Sequence, residues 1–259
     1  MFEKTQELVT FLNYEEEPMG LHYTDILPEG AKGPKKAVPG ENSFSCFIGN
    51  IFTARKKKGA AFISAEESGC VGGAFYTGVL KPYAEFIPYY VSTGNSNMHM
   101  HGERYMSSPE VMRNFLNEVE PPKAPAKYCV VKPLSAFGGD EPDVIIFFAR
   151  PEVMCGLYTL VSFATGDPHA VVSPFGAGCT NICAWPYYYI ARGEDKAVIG
   201  GFDPSARKFM KGDELSFAIT LNLYKRMLAA LDESLFHTDS WQSVRKKTER
   251  SIKAWEKAL

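Results

Sequence analysis

No run of apolar residues in this 259-residue chain approaches the roughly 20 that a membrane-crossing helix requires, which argues against a helical span. Charge of one sign is not in excess either: 28 Lys and Arg stand against 30 Asp and Glu, a net charge of −2. The composition therefore gives no sign of a nucleic-acid or anionic-membrane partner. Walker, dinucleotide-fingerprint, G-x-S-x-G and H-E-x-x-H motifs are all missing, so the mechanisms they serve have no signature here. Six cysteines are too few for a disulfide scaffold in a chain of this length. The stretch MFEKTQELVTFLNYEEEP is acidic and amphipathic, unlike a secretory signal. The expectation is a soluble, cytoplasmic protein whose cysteines are thiols or metal ligands. Nothing in the pattern speaks to oligomeric state.

What the sequence does have is a repeated cysteine interval. Cys46 and Cys70 are 24 positions apart, and so are Cys155 and Cys179. Sliding the chain by 109 lays one segment on the other without a gap, with Ser64 on Ser173 and Gly69 on Gly178. Downstream, RYMSSPEV lies on KFMKGDEL; upstream, EPMGLHYTDILPEG lies on EPDVIIFFARPEVM. A tandem duplication follows as the expected organisation: an N-terminal helix (1–14), a first half (15–120), a second half (128–236) and a C-terminal helix (237–259). The first half carries an additional Gly/Pro/Lys-rich stretch, GAKGPKKAVPGENSF, that reads as a surface loop.

Periodicity gives each half the order β-α-β, a Gly-Cys turn, then α, strand or loop, and α. GLHYTDI and DVIIFFA are expected as equivalent strands, and YCVVKPL as a strand before the second of them. Cys46–Lys57 and Glu152–Ala164 are expected as equivalent helices, the second stopped at TGDP. GAAFISA and HAVVSPF read as short strands. LSFAITLNLYKRMLAAL reads as a helix, with Glu110 and Glu214 as first-turn acids of corresponding helices. The expected fold is α/β or α+β, two β-α-β-α-β-α half-domains packed about a pseudo-twofold with a mixed sheet, closed by a C-terminal helix.

The candidate site lies at the Gly-Cys turns. Gly69 and Gly178 are expected to permit tight turns with positive φ. Cys70 and Cys179 then fall at helix starts, where free N–H groups and the dipole favour an anion and lower a thiol's pKa. The same geometry suits a ligand phosphate or carboxylate, and Arg207, ahead of a helix, could hold one bidentately. Cys179 and Cys183, four apart, share a helix face and suit two ligands of one centre. Cys46, Cys70, Cys179 and Cys183 together would make a four-thiolate set for an iron–sulfur cluster or a zinc ion. Alternatively, Cys70 and Cys179 act as catalytic thiols facing each other, or the paired turns bind a small anion without metal. Cys46 and Cys155, on apolar helix faces, and Cys129, in an apolar strand, also read as core thiols.

Other candidates are weaker. His99 and His101, two apart between Met98 and Met100, would point to one side of a strand and could hold copper(I); an exposed loop reads as well. His22, His169 and His237 stand alone. The aromatic run Trp185–Tyr189 suits core packing or a ligand wall.

Taken together, SFSCFIGNIFTARKKKGAAFISAEESGCVGGAFYTGVLKP, RYMSSPEVMRNFL, EPDVIIFFARPEVM, GAGCTNICAWPYYYIARGE and PSARKFMKGDELSFAI resemble the prokaryotic family called domain of unknown function 169, over roughly residues 5–235. The resemblance implies a Cys at position 46, a Cys-x-Gly-Gly element at 70–73, a Cys within 179–183, Arg207 and Glu214. It also implies, in many members, a further Cys shortly before the Arg, where this chain has AVIGGFDPS. It brings no activity with it. The functional expectation is a cysteine-based site between two homologous halves, holding a metal or iron–sulfur centre and a small-molecule ligand. A metal-free anion-binding module and a thiol-dependent enzyme are the alternatives.

Overall fold

A computed structural model describes residues 1–36 and 45–258. Part of the Gly/Pro/Lys-rich stretch expected as a loop lies outside the described residues. The chain runs through α1 (Phe2–Leu12), β1 (Met19–Thr24), α2 (Phe47–Lys57), β2 (Ala61–Ile63), α3 (Val71–Tyr76) and α4 (Ile87–Val91). A small hairpin of β3 (Gly94–Asn95) and β4 (Met100–His101) leads to α5 (Pro109–Glu118) and β5 (Tyr128–Pro133). Then come β6 (Val144–Ala149), α6 (Pro151–Thr165), β7 (Val171–Val172), a π-helical turn (Thr180–Ala184), α7 (Trp185–Ala191) and β8 (Ala197–Gly200). Finally α8 (Pro204–Arg207), β9 (Leu215–Thr220), α9 (Leu221–Ala229) and α10 (Asp239–Ala258) complete the chain.

Seven strands form one sheet in the order β2-β5-β1-β6-β9-β8-β7. Every pairing is antiparallel except β7 with β8, so the sheet is mixed. The centre is β6, VIIFFA, whose six residues are all buried. Its side chains alternate: Val144, Ile146 and Phe148 enter one core, Ile145, Phe147 and Ala149 the other. A strand covered on both faces reads as an unbroken apolar run for this reason. Each such side chain contributes about 1.5–3 kcal/mol on burial. On the first face sit α2, α3, the π-turn and α5; on the second lie α1, α6, α9 and the start of α10. The molecule is a three-layer mixed α/β structure, with the expected C-terminal helix in place. None of its helices is long and apolar enough to cross a membrane, among the described residues.

Three expectations are corrected. LSFAIT is the strand β9, paired with β6 and β8, and the helix begins only at Leu221. Six residues, five of them buried, with Phe217 and Ile219 in one core and Ala218 in the other, override the helical reading of the longer run. Glu214 therefore precedes a strand, whereas Glu110 does open a helix. Second, His99 is not on a strand: it ends a 3-10 turn with φ of 48°, and only His101 lies in β4. Third, α2 and α6 lie on opposite faces of the sheet. β1 and β6, the strands before them, are antiparallel neighbours. A twofold relating antiparallel neighbours stands perpendicular to the sheet and maps each face onto itself, so it does not carry α2 onto α6.

Candidate functional site

The two Gly-Cys turns and the first turn of α2 meet on one face of the sheet. Cys46 is the N-cap residue of α2, with extended backbone (φ −97°, ψ 135°). Gly178 packs against Ile48 of α2 and Ala206 of α8; a Cβ there would stand 3.0 and 3.1 Å from their carbons. Its N–H donates to the buried Asp203 carboxylate at 3.2 Å, and the same carboxylate caps α8 through the Ser205 N–H at 2.9 Å. Cys179 is thereby pressed towards the start of α2. On the other side, Gly69 lies directly against the 34–36 segment: a Cβ would fall 1.8 Å from the Lys35 carbonyl oxygen, and the Gly69 N–H donates to the Pro34 carbonyl at 2.9 Å. Neither glycine has positive φ. Both are needed for close approach, which corrects the turn-conformation reason given to them. Gly73, one turn into α3, makes room for the Cys70 sulfur, which a Cβ would meet at 2.9 Å.

The electrostatics of the three sulfurs differ. The Cys70 thiol shares a hydrogen bond with Cys46 and is the main reason that the Cys46 pKa falls to about 6. Burial opposes that fall; the amides of Gly49 and Ile48 at the start of α2, and the Lys208 ammonium, assist it. Cys70 moves the opposite way: the hydrogen bond to Cys46, burial, and the nearby Cys179 all hold it protonated. Cys179 is also raised, by burial first and then by the charges of Cys46 and Asp203. The lowering of the pKa expected at Cys70 and Cys179 falls instead on Cys46. First-turn amides of α2 face both sulfurs, Gly49 and Ile48 at Cys46 and Phe47 at Cys70; at Cys70 the hydrogen bond to Cys46 and burial outweigh them.

The other cysteines go elsewhere. Cys183 is fully buried and hydrogen-bonded with Cys129 of β5, so burial and that partner raise its pKa. Cys179 and Cys183 are joined by a π-turn, closed by the Trp185 N–H on the Thr180 carbonyl, where a regular α-helix was expected. Tyr23 stands beside Cys129, its hydroxyl donating to the Thr77 carbonyl, and its ring meets Tyr187 edge-on at 4.7 Å. Tyr187 donates to Asp143 at 2.5 Å. Five of the six cysteines thus line one core, in the order 46, 70, 179, 183, 129, while Cys155 is exposed on α6. Among the described residues no three cysteine sulfurs lie within 4.8 Å of one another.

Arg207 has its fork engaged by backbone. It donates to the carbonyls of Glu214 at 2.5 Å, Gly212 at 2.7 Å, Lys211 at 2.8 Å and Gly201 at 3.3 Å. That holds the 208–214 loop over α2, with Phe209 against Gly49 and Lys208 near Cys46. Glu214 ends the loop and grips the buried Arg55 bidentately, at 2.7 and 3.0 Å. Burial pushes the Glu214 carboxyl up, and the Arg55 bonds and charge outweigh it, leaving its pKa lowered. Arg55 also binds Glu16 and stands over the rings of Phe52 and Phe148 at 5.3 and 5.1 Å. Sequence reading missed Arg55, Lys208 and the Cys129–Cys183 pair. Arg55 hides in the basic run ARKKK, where only its i,i+4 place after the buried Ile51 marks it as facing inward.

The site defines a class: a three-layer mixed α/β protein with a cysteine cluster at a helix N-terminus, covered by a loop stapled by arginine. The sequence pattern of domain of unknown function 169, described as Uncharacterised ArCR, matches residues 7–230, and the chain belongs to that family. The match ends before α10. None of the curated proteins and none of the solved structures compared with it matches the chain.

Proposed function

We propose that Cys46, Cys70 and Cys179 form a thiolate centre that holds an iron–sulfur cluster and binds a small molecule beside it. The observation that carries this reading is the placement of Cys46 at the N-cap of α2, in one core with Cys70 and Cys179; the lowered pKa of Cys46 agrees with it. Cluster ligands are thiolates, and N–H groups directed at their sulfurs tune such centres. A lone zinc ion fits less well: tetrahedral Zn–S bonds of about 2.3 Å put ligand sulfurs about 3.8 Å apart, and no cysteine trio among the described residues is that tight. Cys183 is turned to Cys129. The ligand set is therefore three cysteines, with one coordination position left for a ligand molecule. A bound centre would supply Lewis acidity or electron transfer. The chain's own part is to keep Cys46 deprotonated, to bury Cys179, and to hold Lys208 where an anionic ligand would meet it. The matching Gly-Cys turns, both on one face, support a shared origin for the turns themselves.

Anaerobic purification tests this. Iron and acid-labile sulfide should be present in stoichiometric amounts, lost in Cys46→Ser and Cys179→Ser and kept in Cys183→Ser and Cys155→Ser. Metal-free, colourless protein from an iron-replete preparation rejects the reading.

The opposed shifts of Cys46 and Cys70 support a second reading, a redox dithiol. The Cys46 thiolate would attack a disulfide substrate and release one thiolate. Cys70 would then displace the second, leaving a Cys46–Cys70 disulfide and two substrate thiols. Loss of two hydrogens on mixing with a small disulfide, mapped to these two residues, separates it from the cluster reading.

A further inference from the structure

A further cleft lies away from the cysteines. It lies along the C-terminal half of α2, with a volume of about 1100 Å³, and none of the six cysteines lines it. Its walls are Tyr14, Phe52 and Phe209, and Arg55 forms its floor. The rim carries Lys56, Lys57, Lys58 and Lys208. Among the described residues none of these four lysines has a carboxylate within ion-pair distance. Of the four acids of the cleft, Glu15 is exposed with no ion-pair partner among the described residues, and the other three are engaged. Glu214 and Glu16 bind Arg55 and Lys211, and Glu17 accepts the Ser135 N–H at 2.5 Å. The cleft therefore offers apolar walls and a surplus of free positive charge.

Lysines near a helix C-terminus are favoured by the dipole alone. What distinguishes these is the concave aromatic surface they surround, since a ligand site combines an apolar body with a few polar groups that fix orientation. We propose that this cleft binds an organic anion with an aromatic or flat apolar body, its carboxylate, sulfonate or phosphate set on the α2 lysines. The apolar body would lie between Phe52 and Phe209, and Arg55, already neutralised by Glu214 and Glu16, would shape the floor rather than bind the anion. This does not rest on the cysteine reading.

The probe is 8-anilinonaphthalene-1-sulfonate, an aromatic sulfonate whose fluorescence rises on binding. Saturable binding at one site is expected. Lys56→Gln combined with Lys57→Gln should weaken it about five- to tenfold, which is about 0.5–0.7 kcal/mol for each of the two exposed charges, and added salt should weaken it as well. Lys246→Gln combined with Lys247→Gln, the same charge change on α10, should leave the affinity unchanged. Cys46→Ser protein should bind as the parent does, so loss of the cysteine centre and loss of the cleft read out separately. Non-saturating binding, or equal affinity in the Lys56/Lys57 variant and the parent, overturns the proposal.

Discussion

Cys46 carries the sharpest consequence of this structure at the scale of one residue. Its ordinary pKa is 9.0, and the fold holds it at about 6. Between those values the folded chain has released a proton that the unfolded chain still binds. Stability from this group therefore rises with pH from 6 to 9, is complete above 9 and is absent below 6. Cys70 is shifted the other way, so its contribution falls once the pH passes 9. The gap in urea midpoint between the parent and Cys46→Ser should widen from pH 6 to pH 9; a constant gap contradicts the assignment. Iodoacetamide should label Cys46 with a rate inflexion near pH 6, moving towards 9 in Cys70→Ala, which removes the donor, since the Cys70 hydrogen bond is the largest cause of the shift.

At the scale of elements, the glycines are what bring the sulfurs together, and they differ in tolerance. A Cβ at Gly69 meets the Lys35 backbone oxygen at 1.8 Å, while one at Gly178 meets only side-chain carbons at 3.0 Å or more. Gly69→Ala should therefore cost about 1–3 kcal/mol and raise the Cys46 inflexion by pulling the Cys70 turn away. Gly178→Ala should do less of both. Equal effects in thiol titration and denaturation would show that the turns are looser than described.

These elements were legible in sequence to different degrees. The strands at 19–24 and 144–149, the helices beginning near 47 and 151, and the long final helix all announce themselves by apolar period and stop residues. LSFAIT did not, because its burial on both faces depends on β6 and β8, which are far away in the chain. The convergence of Cys46, Cys70 and Cys179 was approached through the Gly-Cys recurrence. Which thiol has its pKa lowered was not, because it depends first on the Cys46–Cys70 hydrogen bond, and that is set by how the turns pack. Arg207 was expected to hold a ligand anion and Glu214 to open a helix; the structure binds Arg207 to backbone and Glu214 to Arg55.

For the whole molecule, the strand order matters most. β5 lies between β1 and β2, and among the described residues β2 has β5 as its only strand neighbour, with a single bridge to Lys32 on its other edge. A fragment of residues 1–126 therefore contains β1 and β2 with nothing to join them. It should lack cooperative unfolding and dispersed amide resonances, whereas the full chain should unfold in one transition. A folded 1–126 fragment would refute this dependence of the first half on the second.

The position of β5 also sets a timetable on the ribosome. β2 ends at Ile63 and its partner begins at Tyr128. At 5–20 residues per second, roughly 3–13 seconds pass between their synthesis. Throughout that interval the edge of Ala61, Phe62 and Ile63 that β5 will take stands unfilled, and the nascent chain presents apolar surface to whatever surrounds it. Slow decoding after Ile63 would lengthen this exposure and lower the yield of folded protein, whereas the same slowing after Pro133 would give the first three strands time to pair.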